Sequence, residues 1–392
     1  MSQRPPKVLV IAPCAFPFSR GTPIRIARLA RLMGARFPLA VATFHQSDAA
    51  DFPVPISRIP RLPVDVTARS GPSFAKIVCD AFLLLLVLYK VIFEGYRVLD
   101  GHLHEGALIA LAGRFLGARA IYNAHGTLAK ELVYMGWVKE GSRSARWVAA
   151  LEHWIEAHMD AVVAQSEMRA AELVRNGVDP RRVHVVEDVP VFETYPTLPP
   201  GELARRFMSG GERVVIYTGE LLPYQGVDLL LEAFPRVLDS VPSARLILFG
   251  NPPEPCRTTI ADLACRERIH LINDVPFARI GDWLALADVA VVPRLYGENV
   301  PGKLPIYMCA GKAIVGTDLP GINTVLRHEE NGLLVPPEAG RLAGAIVRLL
   351  RDDALRGRLA KAALEEARRR YSSEKIETTL GGGYETLGRG RA

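Results

Sequence analysis

Cysteine is scarce and scattered in this sequence. Five cysteines stand among 392 residues, an odd number with no C-x-x-C pair. This pattern argues against a disulfide framework and gives none of the usual zinc-binding spacings. Reduced, buried thiols are therefore the expectation.

Long apolar segments are missing as well. Residues 81–89 form an apolar run, but Asp80 and Lys90 bound it far short of the roughly 20 residues needed to span a bilayer. The apolar residues 8–12 near the N-terminus are too few for a secretory signal and lack a cleavage pattern after them. We therefore expect an intracellular, cytoplasmic protein.

Acidic residues are few in the first 120 positions, which hold fifteen Lys and Arg against seven Asp and Glu, whereas the whole chain carries a net charge of +6. Two interpretations of this region stay open. The leucine-rich segment 81–89 could lie at an anionic membrane surface beside Arg28, Arg31 and Arg36, or it could be a buried core helix. Nucleic acid is not an expected partner, because the basic residues are not interleaved with aromatic ones.

Short apolar runs alternate with segments of helical periodicity, a pattern typical of parallel sheets covered by helices. The predicted strands of the first half are residues 7–12, 40–44, 97–101, 119–123 and 161–165. Its predicted helices include residues 22–33, 105–116 and 146–159. In the second half the predicted strands are residues 213–217, 244–249, 269–272, 290–292 and 313–315, and the predicted helices include 227–238, 280–287 and 304–310. With 49% apolar and 23% charged residues, the chain has material for two α/β domains.

The proposed division has four parts. The first Rossmann-like domain comprises residues 1–190. Residues 191–212 are rich in proline and glycine, which predicts a linker. A second Rossmann-like domain takes residues 213–370. Residues 371–392 are expected to cross back onto the first domain.

Two stretches of the second half carry a specific resemblance. Residues 217–234 (YTGELLPYQGVDLLLEAF) and 293–321 (PRLYGENVPGKLPIYMCAGKAIVGTDLPG) together resemble glycosyltransferase family 4. Residues 21–25, 102–105 and 122–126 of the first half agree with it. The resemblance implies the GT-B fold, an α/β architecture of two Rossmann-like domains with parallel sheets facing a central cleft. It also implies a nucleotide-sugar donor held mainly by the second domain, retention of anomeric configuration, and neither a cofactor nor a bound metal.

The donor site is expected to supply positive charge, because a leaving nucleoside diphosphate accumulates negative charge. The family usually places an Arg and a Lys where this sequence has Glu220 and Gln225, neither of them cationic. Lys303 is the first choice for the missing cation, ahead of Arg294 and Arg25. The full set of candidate donor-binding residues is Gly21, Thr22, Gly219, Glu220, Gln225, Arg294, Asn299, Val300, Pro301, Gly302 and Lys303.

The resemblance also assigns two catalytic candidates. Glu298 matches a glutamate that contacts the transferred sugar, and His125 matches a histidine that reaches the donor sugar. A second family glutamate, which contacts ribose, falls on Ile306, so ribose recognition must come from elsewhere or be lost. On the acceptor side the candidates are Arg25, His104 and Glu105, and the acceptor hydroxyl is expected on a glycan or a lipid-linked molecule.

Two rival functions remain. The replacements Glu220, Gln225 and Ile306 also suit a catalytically idle GT-B protein that binds a glycan or a partner. A dinucleotide oxidoreductase shares the alternating pattern, but the loop after the first strand holds only Gly21 where a G-x-G-x-x-G fingerprint would stand.

Overall fold

A computed structural model describes residues 5–17, 21–46, 52–64, 73–134, 136–187, 195–208, 210–273, 275–276, 279–297 and 300–389. The chain divides into two compact units. Unit 1 comprises Met1–Val189 and Ser373–Ala392, and unit 2 comprises Pro190–Ser372.

Unit 1 is built on a sheet of parallel strands. Its strands are β1 (Val8–Ala12), β2 (Leu39–Thr43), β3 (Ile56–Arg58), β4 (Val98–His102), β5 (Arg119–Asn123), β6 (Ala161–Ala164) and β7 (Val183–Val185). Its first helices are α1 (Gly21–Gly34), α2 (Phe74–Phe93), α3 (Leu103–Arg114), α4 (Leu128–Tyr134), α5 (Arg143–His158) and α6 (Glu167–Arg175). The spatial order of the strands is β3-β2-β1-β4-β5-β6-β7.

The central strands of unit 1 are buried on both faces because helices cover both sides. Helices α2, α3, α5 and α6 pack on one face. Helix α1 packs on the other. The interpretation that Arg28, Arg31 and Arg36 flank the leucine-rich helix is therefore wrong, since α1 and α2 lie on opposite faces of the sheet.

Unit 2 repeats the architecture. Its strands are β8 (Arg213–Thr218), β9 (Ala244–Phe249), β10 (Ile269–Ile272), β11 (Val289–Val292), β12 (Ala313–Thr317) and β13 (Leu333–Val335). Its helices are α7 (Gly201–Phe207), α8 (Val227–Ser240), α9 (Glu254–Asp262), α10 (Ile280–Leu286), α11 (Lys303–Cys309), α12 (Pro320–Asn323), α13 (Ala339–Arg351) and α14 (Asp353–Arg370). The parallel strands follow the order β10-β9-β8-β11-β12-β13.

One segment differs from its predicted role. Helix α7 lies inside residues 191–212, where the proline content indicated a linker, and its Phe207 is buried against Trp283 and His270. The aromatic contacts make this helix part of the core of unit 2. Composition alone does not reveal this, because a helix of seven residues shows little periodicity.

The chain returns to unit 1 at its end. Helix α15 (Ser373–Ile376), a π-helical turn (Glu377–Gly381) and α16 (Gly382–Arg389) follow one another. Ile376, Leu380 and Tyr384, spaced four residues apart, bury one side of this segment in the core that also holds α1.

The strand order reverses at one place in each sheet. In unit 1 the reversal lies between β1 and β4, and in unit 2 between β8 and β11. In open α/β sheets ligands bind just beyond the carboxyl ends of the strands at such a switch point. These two places are where the candidate residues have to be examined.

Candidate functional site

The turn after β8 in unit 2 depends on two glycines. Gly219 (φ 118°) and Gly226 (φ 75°) adopt the left-handed backbone conformations that favour glycine. A Cβ atom on Gly226 would lie 1.7 Å from the carbonyl oxygen of Pro293. Glycine at position 226 therefore lets the start of α8 approach the chain that leaves β11.

Lys303, the first residue of α11, reaches into this turn. Its Nζ donates to Tyr217 Oη at 2.7 Å and to Gln225 Oε1 at 3.0 Å, and it lies 3.8 Å from the centroid of the Tyr217 ring. Tyr217 in turn donates its hydroxyl hydrogen to the carbonyl oxygen of Glu220 at 2.6 Å. The structure thus brings together Lys303, Gln225 and Gly219, whose added Cβ would lie 3.3 Å from Lys303 Cε.

Burial lowers the pKa of the Lys303 ammonium well below its ordinary value, and the positive charge of Arg294 lowers it further, while Glu220 acts the other way. Among the described residues, the hydrogen-bond partners of Lys303 Nζ are neutral oxygens, and no carboxylate is hydrogen-bonded to it to offset the lost hydration. An anion bound here would restore the full charge. The place is therefore electrostatically suited to a phosphate group.

Arg294 leaves the end of β11 on the same side. Its guanidinium carbon lies 5.7 Å from the centroid of the Tyr224 ring. A Cβ atom on Gly297 would lie 2.7 Å from this guanidinium, so glycine at position 297 leaves the space that Arg294 fills. The backbone of the two segments is also joined, because Leu295 N donates to Tyr224 O at 3.1 Å.

The remaining donor-side candidates occupy different settings. Glu220 is exposed, Val300 is half-buried, Pro301 is buried, and Gly302 is exposed at the N-cap of α11. Glu298 and Asn299 lie outside the described residues. Gly21 and Thr22 open helix α1 in unit 1.

Ile306 is part of the hydrophobic core of unit 2 and is only 7% exposed. Its neighbour Tyr307 is also buried, and the Tyr307 hydroxyl accepts from Thr218 N at 2.7 Å. This bond ties α11 to the end of β8. The sequence did not single out Tyr217 or Tyr307 as positioning residues, because a tyrosine among apolar residues is expected to be a core residue.

In unit 1 the polar candidates gather where β4 and β5 end. Nδ1 of His102 lies 2.8 Å from Nε2 of His125. Burial lowers the pKa of His102 to about 3, and the charge of Arg25 acts in the same direction. Burial also lowers the pKa of His125 well below its ordinary value, with His102, Arg25 and His104 adding to the effect. Both imidazoles are neutral at pH 7.

Asp100 and Tyr384 extend this cluster into the sheet. Tyr384 Oη donates to Asp100 Oδ2 at 2.5 Å, and the same carboxylate oxygen lies 3.7 Å from His102 Nε2. Burial raises the pKa of Asp100 to about 6, against the hydrogen bonds of Tyr384 and Asn123 and the charge of Arg25. Nothing in the sequence pairs positions 100 and 384, which only the returning C-terminal segment brings together.

Each acceptor-side candidate contacts a polar group of unit 1. Arg25 is buried and donates to the carbonyl oxygen of Val186 at 2.6 Å. His104 Nε2 lies 3.5 Å from Glu152 Oε1, and Glu105 pairs with Lys76 at 2.5 Å.

The first turn of α3, which carries His104 and Glu105, is strained. Leu103 between His102 and His104 has φ 60°, which is unfavourable for a residue other than glycine. Strained backbone of this kind concentrates at functional sites.

No group of three or more His, Cys, Asp or Glu side chains among the described residues is arranged to hold a metal ion. Over the same residues, the structure shows no helix with both the length and the apolar content needed to cross a membrane.

Comparisons with known proteins agree with this architecture. Residues 19–187 match the model of Glycosyltransferase Family 4, and residues 212–352 match that of Glycosyl transferases group 1. Among solved structures, the sucrose-phosphate synthase of Thermosynechococcus elongatus is similar with a TM-score of 0.77 and 19% identity over 97% of this chain and 99% of that one. The Anabaena protein HepE in complex with UDP has a TM-score of 0.72 and 16% identity over 97% of this chain and all of that one.

Curated relatives have related names. A D-inositol 3-phosphate glycosyltransferase of Acidothermus cellulolyticus is 30% identical over 58% of this chain and 53% of its own length. A phosphatidyl-myo-inositol mannosyltransferase of Mycobacterium leprae is 35% identical over 42% of this chain and 44% of its own length. The chain thus spans about half the length of the curated relatives it matches.

The two Rossmann-like units confirm the parallel α/β architecture that the alternating pattern predicted, and the structural neighbours define the GT-B class that the resemblance implied. Within that class, the two family matches show that the chain belongs to the family 4 type of glycosyltransferases.

Proposed function

We propose that this protein is a retaining glycosyltransferase that moves a sugar from a nucleotide diphosphate sugar to an acceptor hydroxyl on a lipid-linked molecule or a polysaccharide. The observation that carries the proposal is the Lys303 ammonium at the β8/β11 switch point, held by Tyr217 and Gln225. A cation in that setting suits the diphosphate of a donor, because oriented charge in a desolvated place stabilises a leaving anion more strongly than charge in water.

Lys303 replaces the expected cationic pair in this proposal. The family places a lysine at the position of Gln225, and here the ammonium of Lys303 lies 3.0 Å from Gln225 Oε1. The positive charge is thus supplied to the same turn from a different helix. Arg294 adds a second cation nearby, and no bound metal is needed to balance the leaving diphosphate.

His125 and Glu298 are the proposed catalytic residues. A neutral imidazole at His125 can donate or accept a hydrogen bond to the transferred sugar without adding positive charge. Arg25, His104 and Glu105 are proposed to shape the acceptor side of unit 1.

The acceptor class is supported by the names of the relatives, which refer to inositol phosphate and phosphatidyl-myo-inositol. We propose a polyol headgroup or a glycan as acceptor and a position at the cytoplasmic face of a membrane. A reducing compartment suits the five free cysteines.

The test is a panel of UDP, GDP and ADP sugars, with vesicles containing phosphatidylinositol as acceptor and released nucleotide as the readout. We expect transfer from one donor class, an α or β product that keeps the donor's anomeric configuration, and activity that survives EDTA. Binding of a donor with no transfer to any acceptor would favour the idle GT-B protein, and the absence of both binding and turnover would overturn the proposal.

A further inference from the structure

The outer side of helix α2 is apolar along its whole length. Of its large hydrophobic side chains, Leu83 and Val87 are buried against the sheet. Seven others are exposed by 37% to 82%: Phe74, Ile77, Phe82, Leu85, Tyr89, Ile92 and Phe93. The two lysines of α2 are directed elsewhere, since Lys76 pairs with Glu105 of α3 and Lys90, itself buried, pairs with Glu94.

The neighbouring helices continue this surface. Helix α3 packs against both α2 and α5, and all three cover the same face of the sheet. Their outer sides therefore point away from the sheet in the same general direction. Beyond α2 this surface exposes Leu108, Phe115, Leu116, Trp147, Leu151 and Trp154. We call the outer side of α2, α3 and α5 the apolar face of unit 1.

Helix α5 adds positive charge to the apolar face. Arg143 and Arg146 are exposed in its first turn and line a shallow depression together with Trp147 and Ala150. Neither arginine forms an ion pair within the described part of the chain. The two carboxylates of α5, Glu152 and Glu156, are buried and bound to Arg169. The outer side of α5 is thus aromatic and cationic, with no carboxylate on it.

A surface with this composition fits one kind of partner. Exposed apolar area on this scale marks an interaction site rather than an ordinary surface. Tryptophan and tyrosine are enriched where a protein meets the boundary between lipid headgroups and acyl chains, and arginine is attracted to anionic headgroups. A second copy of the chain fits less well. A two-fold contact brings the same patch of both copies together, and the outer side of α5 offers the arginines of the other copy no carboxylate of that helix to pair with.

We infer that the apolar face of unit 1 docks onto an anionic lipid bilayer, with Arg143 and Arg146 at the headgroup phosphates and Trp147 and Trp154 at the acyl boundary. The inference rests on the proposed function in so far as docking presents unit 1 to a lipid-linked acceptor. The arginines of α1 take no part, because α1 lies on the opposite face of the sheet, and Arg36, two residues beyond α1, is paired with Glu385.

Vesicle sedimentation tests the inference without any donor or acceptor. The probes are vesicles of equal parts phosphatidylglycerol and phosphatidylcholine, and vesicles of phosphatidylcholine alone. We expect Arg143→Gln/Arg146→Gln to weaken binding to the anionic vesicles about 30-fold, which corresponds to roughly 2 kcal/mol for two arginines near a charged surface. The matched control Arg28→Gln/Arg31→Gln removes the same charge from the opposite face and is expected to leave binding within about twofold.

The depth to which Trp147 and Trp154 enter the bilayer is tested with lipids that carry brominated acyl chains, which quench tryptophan fluorescence on contact. Quenching is expected in the unmodified chain and is expected to be largely lost in Trp147→Phe/Trp154→Phe. Three results would each overturn the inference. The first is an equal loss of vesicle binding in the two double arginine variants, and the second is unchanged binding in Arg143→Gln/Arg146→Gln. The third is a dimer that forms without lipid and that Trp147→Phe/Trp154→Phe disperses.

Donor hydrolysis in the absence of vesicles separates the two proposals. It should be the same in Arg143→Gln/Arg146→Gln as in the unmodified chain. Docking without any hydrolysis or transfer would leave the docking surface standing and remove the proposed function, and hydrolysis without docking would do the reverse.

Discussion

The ammonium of Lys303 and the side-chain oxygen of Gln225, 78 positions apart in sequence, lie 3.0 Å from each other at the end of β8. One residue belongs to the first turn of α11 and the other precedes α8. This contact explains how a donor turn with a neutral residue at position 225 still contains a lysine amine, which a bound diphosphate would hold in its charged form.

The first prediction concerns where that charge is attached. Lys303→Met is expected to lower kcat/KM for the donor by about 10- to 100-fold, the effect of losing a charge-assisted hydrogen bond of about 1.5–3 kcal/mol. The exchange Lys303→Gln/Gln225→Lys should recover much of the loss, because it returns an ammonium to the same turn. Steady-state kinetics measure both. An exchange variant no better than Lys303→Met would show that position 303 matters for another reason.

The second prediction follows from the lowered pKa of Lys303. Between that lowered value and the ordinary value near 10.5, the free protein holds Lys303 mainly neutral. A bound diphosphate raises the pKa again, so UDP binding in the alkaline range below pH 10.5 should take up protons and should weaken as pH rises through that range. Calorimetry in buffers of different ionisation enthalpy measures the uptake. Lys303→Met should show none, and an uptake equal to that of the unmodified chain would contradict the assignment.

The third prediction concerns the histidine pair. Because burial keeps His102 and His125 neutral, kcat should stay level between pH 8 and pH 6 rather than fall near pH 6.5. His125→Ala should lower kcat by about 100-fold or more, in the range of lost transition-state contacts. His102→Ala should lower kcat less and introduce an acid limb near pH 6.5, since water then reaches His125. A purely structural role for His102 would leave the shape of the pH profile unchanged.

The fourth prediction tests the close approach at Gly226. Gly226→Ala should destabilise the protein by about 3 kcal/mol or more, because it forces a Cβ into the carbonyl of Pro293 and a left-handed φ on alanine. Gly344→Ala in α13, where an added Cβ meets no atom within 4 Å, is the matched control and should be neutral or stabilising by up to about 1 kcal/mol. Urea unfolding followed by circular dichroism compares them. Equal stability of the two variants would show that the chain relaxes around position 226.

The fifth prediction concerns Asp80 in α2. Burial raises its pKa to about 7, Glu105 adds to the rise, and Lys76 opposes it. Unfolded Asp80 ionises near pH 3.8 and folded Asp80 near 7, so its charge destabilises the fold increasingly as pH rises from about 4 to 7 and uniformly above that. Asp80→Asn should therefore raise the free energy of unfolding by about 1–2 kcal/mol at pH 8 and hardly change it at pH 4. As a control, Asp239→Asn at an exposed position should change the free energy of unfolding little at either pH. A gain in the free energy of unfolding of Asp80→Asn that does not vary with pH would show that the raised pKa of Asp80 is not its cause.

Much of the fold was predictable from local pattern. The strands Arg119–Asn123, Ala244–Phe249 and Ile269–Ile272 begin and end where the alternating pattern predicted them, because each is a short, mostly apolar run between segments of helical periodicity. The short edge strands β3, β7 and β13 were not predicted. Each has only three residues, too few to show a period of their own.

The candidate site was less predictable. The motif around Pro293–Gly321 pointed to Lys303, but not to its partners, since hydrogen bonds from α11 to β8 join segments more than 75 positions apart. His102 lies in a stretch that agreed with the family resemblance but received no role there, and Asp100 carries no functional signal in sequence. They enter the site only because Tyr384 returns from the far end of the chain and because β4 and β5 are neighbours.

The sequence by itself determined the α/β class, the two repeating units and the family, because periodicity and local motifs are properties of neighbouring residues. Tertiary structure alone decided which faces the helices cover, and therefore that the arginines of α1 and the apolar side of α2 lie on opposite faces of one sheet. Tertiary structure also decided that the Lys303 amine lies beside Gln225, a position that carries no positive charge of its own. The position of a charge depends on where its side chain ends. The Lys303 side chain ends beside Gln225, which is distant in sequence and becomes its neighbour only in the folded chain.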